Sequence, residues 1–295
     1  MRGLRMIHPR GPSVLVRVGF SVLLFGGSAN LAAQPAAAPD LGLAFGYAVL
    51  GTNAIPTTGT VTCTTSTVNG NVGTTGASIS NTGCTITGST DVSLPLSGPG
   101  VVTDFGLAYD SIDVMNPDSA CLPMPTASGP VPPGVYCSAA STTLGAGIIF
   151  QLIGNATDVW VFKVGALGST GALTGNSFQM VMGGGADACN VYWRTAAAAT
   201  MTNSTFLGTI LSGSAVSVTG GSFLGRALAT TDVTLTDVQP LSFAGCAAPA
   251  TITVAKDFIP SNPANVPIAL TCTSGVVSAT PLNAAEGAPA VFTVT

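Results

Sequence analysis

The sequence predicts a mainly β chain: a β-solenoid with one α-helix packed alongside it, followed by a short C-terminal β segment. Three observations carry this. Residues 205–221 (TFLGTILSGSAVSVTGG) and 222–238 (SFLGRALATTDVTLTDV) follow one another directly and agree at six of seventeen positions, among them Phe206 with Phe223, Gly208 with Gly225 and Val216 with Val233. Within this repeat, apolar–hydroxyl–apolar triplets at 199–201, 216–218 and 233–235 have the period of two that turns one side chain outward between two inward ones. The third observation is a single amphipathic helical stretch, residues 101–115. A unit of about twenty residues made from short strands and Gly-containing turns is one coil of a solenoid, because it buries its apolar side only by stacking on the next coil.

Taken in order, the chain opens with Arg2, Arg5, His8, Arg10 and Arg17, an apolar run (VGFSVLLFGG) and a small-residue stretch (SANLAAQPAAAP). That order reads as a secretory signal peptide over 1–38, with cleavage around Ala33–Ala38, and the apolar run is short of the roughly 20 residues that span a bilayer. The solenoid is assigned to 39–246. Beyond the leader only Lys163, Arg194, Arg226 and Lys256 face all twelve acids, which leaves a formal charge of −8. Phosphate neutralisation needs clustered Lys and Arg, so nucleic acid is excluded as a partner. With His8 in the leader, Ser-His-Asp and Cys-His catalysis and His-ligated metals are excluded too. No catalytic residue, metal, cofactor or small-molecule substrate is expected.

Seven cysteines in an exported chain read as disulfides. Six of them allow 15 connectivities. Proximity in sequence favours Cys63 with Cys84 and Cys121 with Cys137, which leaves Cys189 with Cys246 and Cys272 unpaired.

In the helical stretch, Phe105, Ala108, Tyr109 and Ile112 fall at i, i+3, i+4 and i+7, Thr103 or Asp104 stands where a cap is needed, and Asn116–Pro117 stops it. The strand VWVFKV at 159–164 is apolar on both sides, so its outer side must be covered. The helix is therefore placed with its stripe against Trp160, Phe162, Tyr192 and Trp193. Asp104, Asp110 and Asp113 lie near one another on its turns and are read as a solvated side of the helix rather than a catalytic pair. Counting back eight residues from Thr143, Thr170, Thr200, Ser217 and Thr234 meets a second strand each time (VYCS, FKVG, YWRT, TILS, RALA), which supports a common coil plan.

The stretches FGYAVLGTNAI, VNGNVGTT, PPGVYCSAASTTL, VWVFKVGALGST and above all the run from Asp187 to Leu235 resemble the secreted microbial ice-binding, or antifreeze, proteins. The resemblance covers about Leu41 to Val238. It implies a right-handed discontinuous β-solenoid with a flanking helix, and adsorption to an ice crystal surface through a flat Thr/Ser-rich face. Carried over position by position, that face presents Thr143, Thr170, Thr200, Ser217 and Thr234, with Ser78 and Ser80 from the N-terminal coils; Gly171 competes with Thr170 for the outward place. Stacked strands lie about 4.7–4.9 Å apart, so one Thr per coil makes a straight file of hydroxyls and methyls. Thr is equally a good exposed strand residue, so the residues without the family leave both readings open.

The tail, 247–295, has strand-like stretches TITVAKDF, PIALTCT and AVFTVT between Pro/Asn turns and resembles the start of a bacterial surface β-sandwich repeat. It offers a route to cell-surface attachment, so the expected location is extracellular, with surface association through the tail. A cell-surface adhesin or spacer without ice activity is the alternative. A polysaccharide-active β-helix enzyme needs acids and bases converging on one groove, and four scattered basic residues do not supply it.

Overall fold

The computed structural model describes residues 36–52, 59–115, 121–165, 170–243, 246, 250–255, 264–271, 281–285 and 287–294. Each coil is three-sided. In the repeat that the sequence displays, Val216–Thr219 forms one side, and the long strand Ser222–Ala229 forms the other two by bending at Gly225. Gly225 has φ +152°, and a Cβ there would collide with the carbonyl oxygen of Gly208 on the coil before. Gly therefore recurs at this point of the repeat because two backbones touch there.

The side formed by Val216–Thr219 belongs to a seven-stranded, all-parallel sheet. Its strands lie in the order Thr142–Leu144, Leu173–Asn176, Ala199–Thr202, Val216–Thr219, Val233–Thr236, Val61–Thr64, Ile79–Thr82. The corner that ends these strands is left-handed in coil after coil: Thr65 (φ 47°), Ser177 (54°), Asn203 (48°), Gly220 (62°), Asp237 (54°) and Gly83 (75°).

The order is not the order of the chain. The N-terminal strand Val61–Thr64 stacks on the C-terminal Val233–Thr236, and Tyr47–Gly51 pairs with Ser222–Ala229. This seam is stitched by side chains: the amide and hydroxyl of Thr60 donate to Asp232 Oδ1 at 2.9 and 2.8 Å, Thr67 Oγ1 donates to Gln239 Oε1 at 2.8 Å, and the Thr65 hydroxyl donates to Asp237. The fold is thus a discontinuous β-solenoid.

From the Ile79–Asp91 coil at one end of the stack the chain must reach Leu122 at the other, and the helix Val101–Val114 makes the crossing. Its 14 residues cover about 21 Å. Phe105, Ala108 and Ile112 are buried against Leu50, Val135, Val161, Tyr192, Leu211 and Leu228. Of the partners expected for the stripe only Tyr192 is among these. Trp160, Phe162 and Trp193 point the other way, into the solenoid, because neighbours along a strand alternate. There they form a ladder of rings: Tyr136 to Phe162 at 5.2 Å, Phe162 to Trp193 at 4.0 Å, Trp193 to Phe206 at 5.6 Å and Phe206 to Phe223 at 4.7 Å between centroids. Each such ring removed from water contributes about 1.5–3 kcal/mol.

Neither expected cap is used. The N-cap is Gly100 without a side-chain bond; Thr103 Oγ1 donates to Gly98 O, and Asp104 Oδ2 accepts from the Leu43 amide at 2.8 Å. The acids are also not simply solvated, since Asp113 pairs with Arg194 at 2.9 Å. The helix C-terminus is held from the sheet: buried Lys163 donates from Nζ to the carbonyls of Asp113 (2.8 Å) and Met115 (3.2 Å), a cation where the helix dipole is negative.

The disulfides are Cys63–Cys84 and Cys121–Cys137, the two pairs that proximity favours, and Cys189–Cys246, the pair that they leave. In the tail, Ala250–Val254 pairs antiparallel with Ala290–Val294, and Val266–Ile268 with Leu282–Ala284. Ala284, Ala290 and Phe292 are buried there among Val254, Ile268, Leu270 and Leu282. Cys272 lies outside the described residues.

Candidate functional site

The seven-stranded sheet turns one side to the core and the other to solvent. Inward lie Leu144, Leu173, Ala199, Met201, Val216, Val218, Val233, Leu235, Val61 and Cys63, all at most 2 % exposed. The register of neighbouring strands then sets the outward residues in two straight files. The first runs Thr143, Thr174, Thr200, Ser217, Thr234, Thr62, Ser80. The second, two residues further along each strand, runs Asn176, Thr202, Thr219, Thr236, Thr64, Thr82. Neighbours within a file are about 4.8 Å apart and the files about 6.6 Å apart, so the first file extends over roughly 29 Å.

Of the positions expected from the sequence, Thr143, Thr200, Ser217, Thr234 and Ser80 share the first file. Thr170 does not. It lies in the turn ahead of Leu173–Asn176, Gly171 beside it is buried, and Thr174 holds the place between Thr143 and Thr200. The constant offset fails in this coil because the turn between Val164 and Leu173 is longer than the three residues that separate Thr195 from Ala199. Ser78 is exposed one residue ahead of the strand Ile79–Thr82 and outside its paired register. Thr62, Thr174 and the whole second file were missed. The signal for the second file was present in the repeat, where Thr219 matches Thr236.

No charged residue stands in either file. The nearest acids are at the rim and engaged, Asp232 with Thr60 and Asp237 with Thr65. The groups whose ionisation is perturbed stand in neither file. Burial pushes Arg226 down to about 10, with Tyr192 acting the other way, and its guanidinium lies between the rings of Phe45 (4.0 Å) and Phe243 (4.3 Å). Burial pushes Tyr136 and Tyr192 up to about 12, and Tyr47 likewise, helped by its hydrogen bond to Asp91. Among the described residues no group of three or more His, Cys, Asp or Glu is placed to hold a metal ion. What the face offers is a rigid lattice of hydroxyls and methyls.

A discontinuous parallel β-solenoid with a helix along one side and a flat, uncharged, hydroxyl-bearing side defines a class of surface-binding protein. The family profile described as "Ice-binding-like" matches residues 49–239, and the chain belongs to that family. Ice-binding protein K1-A of Typhula ishikariensis is 30 % identical over 206 residues, covering 64 % of this chain and 82 % of that protein. The ice-binding protein of Flavobacterium frigoris (strain PS1) is 35 % identical over 119 residues, 39 % of this chain and 41 % of that one. Among solved structures, the ice-binding protein 1 domain of Shewanella frigidimarina superposes with a TM-score of 0.58 at 28 % identity, covering 70 % of this chain and 98 % of that chain. An ice-binding protein from an Antarctic Flavobacteriaceae bacterium gives 0.60 at 26 %, covering 75 % and 51 %.

Proposed function

We propose that this chain binds ice through the two hydroxyl files and thereby restrains ice growth or recrystallisation. The observation that carries the reading is the parallel sheet whose two outward files hold Thr and Ser at every place but Asn176, with no charge on it. A charged side chain would impose its own hydration shell. Hydroxyls anchor water while the neighbouring methyls leave it nothing else to bond, which favours the ordered arrangement of the solid. Thr is β-branched and nearly fixed in χ1, so the lattice loses little entropy on meeting a crystal. Adsorbed molecules then force the ice front to grow as curved patches between them, and curvature lowers its freezing point.

The leader-like N-terminus and three disulfides support action outside the cell, where cysteines stay oxidised. The binding role is physical rather than catalytic. The antiparallel tail supports a second component, attachment of the solenoid to a surface, which would make the protein an ice adhesin. The test is the gap between melting and freezing temperatures, with crystal shape, in a solution of the purified chain. Shaped crystals and a measurable gap are expected; ice that grows as in buffer rejects the reading and leaves the plain adhesin or spacer.

A further inference from the structure

We infer that the end of the solenoid formed by the Ile79–Asp91 coil is a pairing surface for a second copy of this chain, joined head to head. The two ends of the stack are built differently. At this one, among the described residues, the strands Ile79–Thr82, Thr85–Ile86 and Thr90–Asp91 each have a neighbour on one side only. Ile79 and Ile86 are left half-buried, Asn81 is exposed and Val92 is 45 % exposed; with Thr90 they line a cavity of about 250 Å³. The inside of the coil therefore opens to solvent.

Nothing in these edge strands blocks pairing. Edges are normally blunted by Pro, Lys or inward charges. These three contain no proline and no lysine, and their one charge, Asp91, is occupied by the hydroxyls of Tyr47 (2.8 Å) and Ser89 (2.9 Å). The opposite end is closed: Val131 and Leu144 are buried, and two of its edge strands, Leu122–Pro123 and Gly129–Val131, carry Pro123 and Pro130. Proline cannot donate to a ladder.

The occupant follows from shape. Three edge strands at fixed angles are satisfied together only by another three-sided coil. The seam between Val233–Thr236 and Val61–Thr64 shows that coils of this chain stack without a covalent connection between them. Because only one end is open, the join is isologous and closes as a dimer instead of growing into a filament. A two-fold axis normal to the flat sheet sets Ile79–Thr82 antiparallel to its own copy and brings both hydroxyl-bearing sides into one plane.

The experiment is light scattering behind size exclusion, with sedimentation equilibrium, on the full chain from about 1 to 100 μM, the range in which small interfaces dissociate. Expected is a rise with concentration from one chain mass to two. Val92→Asp and Thr90→Lys, both at exposed positions, should each hold the protein at one chain mass, with an unchanged circular dichroism spectrum. Ala139→Lys near the closed end should leave the dimer intact. A wild type that stays single throughout, or a dimer that survives both Val92→Asp and Thr90→Lys, overturns the inference. The readout is mass, so it stands or falls apart from ice binding.

Discussion

Ser217 stands at the middle of the first file, between buried Val216 and Val218. Ser217→Tyr should leave circular dichroism unchanged and lower freezing hysteresis at least about two-fold, because weak contacts made together are lost together when a ring holds the surfaces apart. Gln151→Tyr, exposed on a different side of the coil, is the control and should keep full hysteresis. Thr219 ends its strand but is also a member of the second file, so Thr219→Tyr should weaken hysteresis too. Inside the coil, Gly225→Ala meets backbone rather than a yielding side chain and should cost about 2–4 kcal/mol in urea unfolding. Thr200, Ser217 and Thr234 were legible because their coils keep one length. Thr174 was not, because a longer turn precedes it, and Thr62 was not, because it joins its file from 172 residues away.

At the scale of elements, the helix was legible in extent and stripe, since both depend on local spacing. Its partners were not, because both sides of 159–164 are apolar and only packing decides which side meets the helix. The cation that closes its C-terminus was equally hidden, lying some 50 residues further along the chain. Lys163→Met keeps the bulk and removes the charge and its donors to Asp113 and Met115, so it should lower unfolding free energy by about 1–3 kcal/mol, read by urea titration. Loss of the Cys189–Cys246 bridge as the double Ala variant frees a segment of 57 residues and should cost about 2–4 kcal/mol, read as a lower melting temperature.

For the whole molecule, pH divides stability from function. Tyr47, Tyr136 and Tyr192 titrate near 12 in the fold against an ordinary 10.0, so the stability they supply is whole below pH 10 and is lost as pH rises through 12. Arg226, lowered from 12.5 to about 10, works in the opposite direction above pH 10, one group against three. The melting temperature measured by circular dichroism should therefore fall between pH 10 and 12. Hysteresis should be level across neutral pH, since neither file holds an ionisable group. The solenoid as a class was legible from two adjacent coils; the stacking order was not, because the join between the first coils and the last leaves no local trace.

That join also sets when the face comes into being. A nascent chain completes Val61–Thr64 and Ile79–Thr82 early, but the strand they rest on, Val233–Thr236, is made last of the seven. Until it emerges, the early coils have no neighbour to stand on and the growing sheet stops at Val216–Thr219. A translation product cut short after Gly221 would carry the hydroxyl lattice in two unconnected pieces, so the flat surface is a property that the chain acquires only with its final coil.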